Sequence, residues 1–332
     1  MGHQKTIGVI GGGSWATALV KILTDNGHSV NWWMRGQQSV DYFKSYQRNA
    51  NYLTSVHFLN VDLNVSSDLD HTIKISEILI MATPSAFVNQ VFQDYPKDGL
   101  DGKIVFSAIK GVIPEYHAIP AKYFHKQFRT PYDKIGIICG PCHAEEVAME
   151  RLSYLTIGCS DVTIAQEMAD MLACRYIKTT VTEDLFGPEI SAILKNVYSV
   201  ASGICHGLGY GDNFQAVLIS NALQEIEKFV DAIHPIERDV STSAYLGDLL
   251  VTAYSQYSRN RTFGNMIGRG YSVRSAQFEM NMVAEGYYAA KGIVEINKKF
   301  NVDLPICDAV YRILYEKVAP SLEIKLLTDK LS

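Results

Sequence analysis

Two lysines stand where a proton could be moved. Lys110 closes the apolar run IVFSAIK and is followed by Gly111. Lys195 lies in PEISAILKNVYSVASG among apolar and small residues, with Asn196 beside it. Burial lowers a lysine's pKa, so such a side chain can exchange a proton at neutral pH, as the reduction of a ketone requires. A lone helical lysine more often lies along an apolar surface with its ammonium in water. Asn196 and the glycine-rich stretch downstream point to a site instead. Asp248 follows a glycine inside the apolar part of YLGDLLVTAYSQYSRNRTFG. An unpaired carboxylate is costly there, and a lysine would relieve it. In the same stretch Ser258, Arg259, Asn260 and Arg261 bring a hydroxyl, two guanidiniums and an amide into one turn. That is equipment for a phosphate; the alternative is an ordinary polar helix end.

A second group is built from glycine. Gly11, Gly13 and Ala16 give G-x-G-x-x-A directly after an apolar run and at the start of a helical pattern. The first glycine permits a tight turn, the second lets backbone approach a pyrophosphate, and the small third residue lets helix and strand pack closely. In strand–loop–helix context this is a dinucleotide site. The next strand ends WWMRG. An Asp or Glu commonly meets a free ribose 2′-hydroxyl there, whereas Arg35 suits a 2′-phosphate and admits NADP as well as NAD. A third group, Cys139-Gly140-Pro141-Cys142, has the residues of a dithiol redox site after another apolar run. Thioredoxin-like proteins place that motif near the start of a much smaller fold, so the spacing is read as accidental.

These residues need elements to hold them. TIGVIGGG from Thr6 reads as a strand. SWATALVKILTDNG reads as a helix with Ala18, Leu19, Ile22 and Leu23 on one face and Asn26-Gly27 as its stop. Further strands are expected from His28, Glu77, Lys103, Lys134 and Ser153, mostly with helical patterns between them. Alternation of this kind predicts a Rossmann-like α/β domain, a mostly parallel, doubly wound sheet with helices on both faces. From Gly187-Pro188 onward, long 3.6-periodic segments dominate, SAQFEMNMVAEGYYAAKGIVEINKKF among them, so an all-α domain is expected. The division is set at residues 1–188 and 189–332, with no repeat or flexible linker.

The chain has 332 residues and a formal net charge of -5, which argues against general nucleic-acid binding. No apolar run has the length of a membrane span, and no signal-peptide pattern opens the chain. Gly2 and Thr6 match a loose acylation pattern, but a strand is expected from about Thr6, which leaves no free arm. The six dispersed cysteines suit a reduced, cytoplasmic chain, and none forms a cluster with zinc spacing.

GGGSWATAL, SAIKG, GPCHAEEVA, LKNVYSVASGICHGLGYGDN, GDLLVTAYSQYSRNRTFG and MVAEG occur in this order between about residues 7 and 286. Together they resemble the NAD(P)-dependent glycerol-3-phosphate dehydrogenase family of bacterial type. The resemblance implies reversible hydride transfer between NAD(P)H and dihydroxyacetone phosphate, giving sn-glycerol 3-phosphate for glycerophospholipid synthesis, by a cytoplasmic homodimer. It also implies roles. Ser14, Trp15 and Arg35 match cofactor positions, with Ala144, Val283 and Glu285 further along. Lys110 matches a lysine near cofactor and substrate, and Lys195 the acid/base. Gly140, Cys142, Asp248, Ser258, Arg259 and Asn260 match substrate positions, with Arg259 also near the cofactor. Cys142 departs from the Ser, Thr or Asn common there and hydrogen-bonds more weakly. The rival readings are a hydroxyacid or ketopantoate-type dehydrogenase, a non-catalytic nicotinamide sensor, and the dithiol oxidoreductase.

Overall fold

The computed structural model of the chain describes residues 5–280 and 284–332. Gly2 and Val283 therefore lie outside the described residues. The chain forms two compact units. Met1–Ile109 and Pro120–Leu185 make the first, and Lys110–Ile119 and Phe186–Ser332 make the second.

The first unit is built on one sheet. Its strands are β1 (Ile7–Ile10), β2 (Val30–Trp33), β3 (Leu63–Ser66), β4 (Ile78–Met81), β5 (Ile104–Ser107), β6 (Ile135–Cys139), β7 (Ser153–Cys159) and β8 (Ile177–Thr182). They lie in the order β3-β2-β1-β4-β5-β6-β7-β8. All neighbours are parallel except β6 and β7. β1, β2, β4, β5 and β6 are buried along their whole length, as continuous Val/Ile-rich runs between two helical layers must be. The connecting helices are α1 (Ser14–Asp25), α2 (Gln37–Tyr46), α3 (Leu69–Lys74), α4 (Ser85–Phe92), α5 (Pro120–Phe128), α6 (Ala144–Ala148) and α7 (Val162–Leu172). The expected face of α1 (Ala18, Leu19, Ile22 and Leu23) is fully buried, and Gly27 takes a left-handed φ of 77° just past its end. Strand order reverses between β1 and β4, which places the crevice of a doubly wound sheet at their carboxyl ends.

The second unit contains no strand among its described residues. Its helices are α8 (Phe186–Gly207), α9 (Asp212–Ile233), α10 (Asp248–Tyr254), α11 (Arg259–Gly268), α12 (Val273–Glu279), α13 (Glu285–Asn297), α14 (Pro305–Tyr315) and α15 (Pro320–Thr328). α8 is buried from Gly187 to Cys205, so it is the axis on which α9, α10, α11, α13 and α14 pack. The segment expected as one helix from Ser275 is instead α12 and α13. Met280 and Ala284 on either side of the break are extended. α13 then packs tightly on α8: a Cβ on Gly286 would be 2.5 Å from the Asn196 carbonyl oxygen.

Candidate active site

The glycine loop of the first unit follows from close approach. Gly11 has φ 142°, and a Cβ on it would lie 2.6 Å from the carbonyl oxygen of Ala82 after β4. Only glycine fits where the two strand ends nearly touch. Gly13 differs: it is extended, caps the start of α1, and a Cβ there would meet nothing within 4 Å. No side chain caps this helix end. Its first N–H groups and the dipole they terminate suit an anion that comes up to bare backbone. Ser14 is buried in the first turn, Ala16 is fully buried, and Trp15 packs against the apolar core. The loop therefore fits the pyrophosphate of a dinucleotide.

Arg35 follows β2 on the exposed surface. It donates from Nη1 to Gln90 Oε1 at 3.0 Å, and its guanidinium lies 5.4 Å from the Phe87 ring centroid. Gly140 follows β6 at φ 119°, where a Cβ would be 2.7 Å from the Tyr154 carbonyl oxygen. Ala144 opens α6, which packs on α1. Cys142 and Cys139 are both buried. Reactive dithiols sit partly exposed, whereas these two side chains are buried.

The second unit gathers the charged candidates. Lys195 is 2% exposed, Asp248 is 1% exposed, and the Lys195 ammonium pairs with Asp248 Oδ1. Each ion offsets the desolvation of the other, so removing one leaves an uncompensated buried charge. Asp248 Oδ2 is also buried and accepts no hydrogen bond from the described residues. A single π-helical turn, Ser243–Gly247, delivers Asp248 to this position at the head of α10. Such turns break the regular helical rotation and re-aim the residue that follows.

An amide chain runs past the pair. Asn196 Nδ2 donates to the Lys110 carbonyl at 2.6 Å, and Asn260 Nδ2 donates to Asn196 Oδ1 at 2.8 Å. The backbone N–H of Gly286 donates to Asn260 Oδ1 at 2.9 Å. Lys110, Lys195, Asn260 and the start of α13, where Glu285 is half-buried, are thus held in one framework. A hydroxyl chain supports the other side. Ser199 donates to the Thr252 carbonyl at 2.7 Å and meets Ser258 Oγ at 2.8 Å. Ser258 Oγ accepts from the Arg261 N–H at 3.3 Å, which caps α11 and leaves its first N–H groups, with exposed Arg259, at the helix start. Thr252 donates to the Asp248 carbonyl at 2.7 Å.

Of the predicted residues, Gly11, Gly13, Ser14, Trp15, Arg35, Gly140, Cys142 and Ala144 belong to the first unit. Lys110, Lys195, Asp248, Ser258, Arg259, Asn260 and Glu285 belong to the second. The sequence reading gave Ser199 and Thr252 no part. Ser199 was discoverable, because Lys195, Ser199 and Ser202 recur at i, i+4 and i+7 along one side of a largely apolar helix. Among the described residues no group of His, Cys, Asp and Glu is arranged to hold a metal, and no helix is long and apolar enough to cross a membrane.

The sequence profile of the NAD-dependent glycerol-3-phosphate dehydrogenase N-terminus matches residues 6–165, and that of its C-terminus matches residues 184–325. A glycerol-3-phosphate dehydrogenase [NAD(P)+] of Staphylococcus carnosus is 33% identical over 329 residues, 98% of either chain. One from Staphylococcus aureus is 34% identical over 315 residues, 94% of either chain. The crystal structure of a glycerol-3-phosphate dehydrogenase from Coxiella burnetii superposes with a TM-score of 0.91 at 25% identity, over 98% of this chain and 99% of that one.

Proposed function

The chain belongs to the NAD-dependent glycerol-3-phosphate dehydrogenase family, NAD(P)-dependent oxidoreductases, and on that premise we propose how its own residues carry the reaction. The substrate is dihydroxyacetone phosphate, reduced reversibly at its C2 ketone to sn-glycerol 3-phosphate. Bound NAD(P)H supplies the hydride. Lys195 Nζ gives its proton to the oxygen at C2 as negative charge develops there, and takes it back in the reverse direction. Asp248 holds that ammonium in place, and its Oδ2 accepts from the substrate hydroxyl. Lys110 brings a second positive charge. Ser258, Arg259 and Asn260, with the N–H groups at the start of α11, hold the phosphate, so that binding energy remote from C2 positions the carbonyl. Gly140 and Cys142 contact substrate, and Gly11, Gly13, Ser14, Trp15, Arg35, Ala144 and Glu285 contact the cofactor.

The observation that carries this reading is the buried Lys195–Asp248 pair with one carboxylate oxygen unengaged. Arg35, exposed and with no acidic neighbour in WWMRG, supports use of NADPH as well as NADH. A cytoplasmic homodimer that supplies glycerol 3-phosphate for phospholipid synthesis follows from the resemblance alone.

The test follows nicotinamide absorbance with dihydroxyacetone phosphate and NADPH or NADH. Lys195→Ala should lower turnover by about 10²–10⁴-fold while NADPH binding persists. Because the variant strands Asp248, it should also lose about 3–5 kcal/mol of stability. Its fold is therefore verified by circular dichroism at the assay temperature. Wild-type turnover in a folded Lys195→Ala protein would remove Lys195 from the chemistry.

A further inference from the structure

The glycine loop binds through peptide N–H groups, yet nothing in three successive glycines fixes which way those groups point. The structure shows what does. A peptide unit is planar and trans, so its C=O and the next residue's N–H point in opposite directions. Pinning a carbonyl inward therefore aims the following N–H outward. Each carbonyl of the loop is pinned. The Gly11 carbonyl accepts from the Trp32 indole Nε1 at 2.6 Å. The Gly12 carbonyl accepts from Asn49 Nδ2 at 2.9 Å. The Gly13 carbonyl accepts from the Thr17 N–H and Oγ1, each at 2.9 Å. These bonds set the directions of the Gly12, Gly13 and Ser14 N–H groups.

Asn49 is the least expected member. It lies outside the strand–loop–helix unit, in the irregular stretch between α2 and β3, yet is only 4% exposed. Its amide is fully engaged. Nδ2 donates to Thr17 Oγ1 at 2.9 Å as well as to Gly12. Oδ1 accepts from the N–H groups of Asn51 at 3.0 Å and Tyr52 at 3.3 Å. One side chain thus ties a distant turn, the first turn of α1 and the middle of the loop together.

We propose that Asn49 is a positioning residue for the cofactor: through the Gly12 carbonyl it aims the Gly13 N–H at the dinucleotide pyrophosphate, with Trp32 and Thr17 doing the same for the flanking N–H groups. The proposal rests on the loop being the cofactor site. It is tested by direct binding of NADPH, followed by nicotinamide fluorescence, to wild type and Asn49→Ala, with adenosine as a ligand that lacks the pyrophosphate. Asn49→Ala should raise the NADPH Kd and KM about tenfold, leave adenosine binding within twofold, and leave kcat at saturating NADPH and the KM for dihydroxyacetone phosphate within twofold. A merely structural asparagine would weaken both ligands alike and lower kcat. That result, or an unchanged NADPH Kd, overturns the proposal. Should Asn49→Ala fail to fold, Asn49→Asp decides by the same criteria, since it keeps the acceptor for Asn51 and Tyr52 and loses the donor to Gly12. Wild type that binds no NADPH would instead overturn the reading of the loop itself.

Discussion

Glu225 on α9 shows how far one buried side chain departs from its ordinary chemistry. Its carboxylate oxygens accept from the N–H groups of Ile306 at 2.6 Å and Cys307 at 3.3 Å, at the start of α14, and from the Tyr198 hydroxyl at 3.1 Å. Burial nevertheless dominates and pushes the carboxyl up to about 8, against those bonds. The linkage has a definite sign. Below about 4.5, the ordinary value, folded and unfolded chains both carry the proton. Between about 4.5 and about 8 only the folded chain keeps it, so stability falls as pH rises through that window. Glu225→Gln, permanently neutral, should melt progressively higher relative to wild type from pH 5 to pH 8, as read by thermal denaturation. A gap that does not change with pH would contradict the assignment. Residues of this kind divide sharply in legibility. Lys195 and Asp248 stood out because a charge inside an apolar run needs an explanation. Asn49 did not, because an asparagine in RNANYL reads as an ordinary turn residue. Its role depends on a carbonyl that is 37 positions away in the chain.

α8 and α11 meet backbone to backbone. A Cβ on Gly203 would lie 2.1 Å from the Arg261 carbonyl oxygen, and one on Gly264 would lie 2.1 Å from that of Val200. Gly207 and Gly268 repeat the contact one turn on, at 2.5 Å from Asn265 O and 2.3 Å from Ile204 O. Each helix thus presents a G-x-x-x-G stripe to the other. The crossing fixes the start of α11, proposed above to hold the phosphate, against the helix that carries Lys195. Gly264→Ala should force the helices apart at a cost of about 1–3 kcal/mol, lowering Tm by roughly 2–12 °C. KM for dihydroxyacetone phosphate should rise with it, because Ser258 and Asn260 shift relative to Lys195. Scanning calorimetry and steady-state kinetics check the two parts, and an unchanged Tm would show that the helices tolerate separation. The helical periodicity of these elements was legible, but the stripe was not singled out. β3 and β8 also escaped the sequence reading. Each is an edge strand with half-exposed or exposed positions, which dilutes the apolar run that revealed the central strands. The α12–α13 break was hidden because both helices continue the same apolar period.

At the scale of the whole chain, the notable piece is Lys110–Ile119, which belongs to the second unit although first-unit sequence precedes and follows it. Val112 and Ile113 are fully buried, and a Cβ on Gly292 of α13 would lie 2.7 Å from the Val112 side chain. The Lys110 carbonyl also receives the Asn196 amide. A fragment of residues 186–332 would lack all of this. It should keep much of its helical far-ultraviolet dichroism but lose cooperative melting and near-ultraviolet signal. A sharp two-state melt of the fragment would show the segment to be dispensable. The change of texture near Gly187-Pro188 was visible because strand-like runs give way to helical period there. The loan of ten residues was not, since KGVIPEYHAI has no composition of its own. The arrangement also bears on inheritance. A single recombination event near residue 185 would hand on the second unit without the strip that completes its core. The two halves are therefore expected to descend together, and a lineage that exchanged one of them would need two crossovers or a refitted α13.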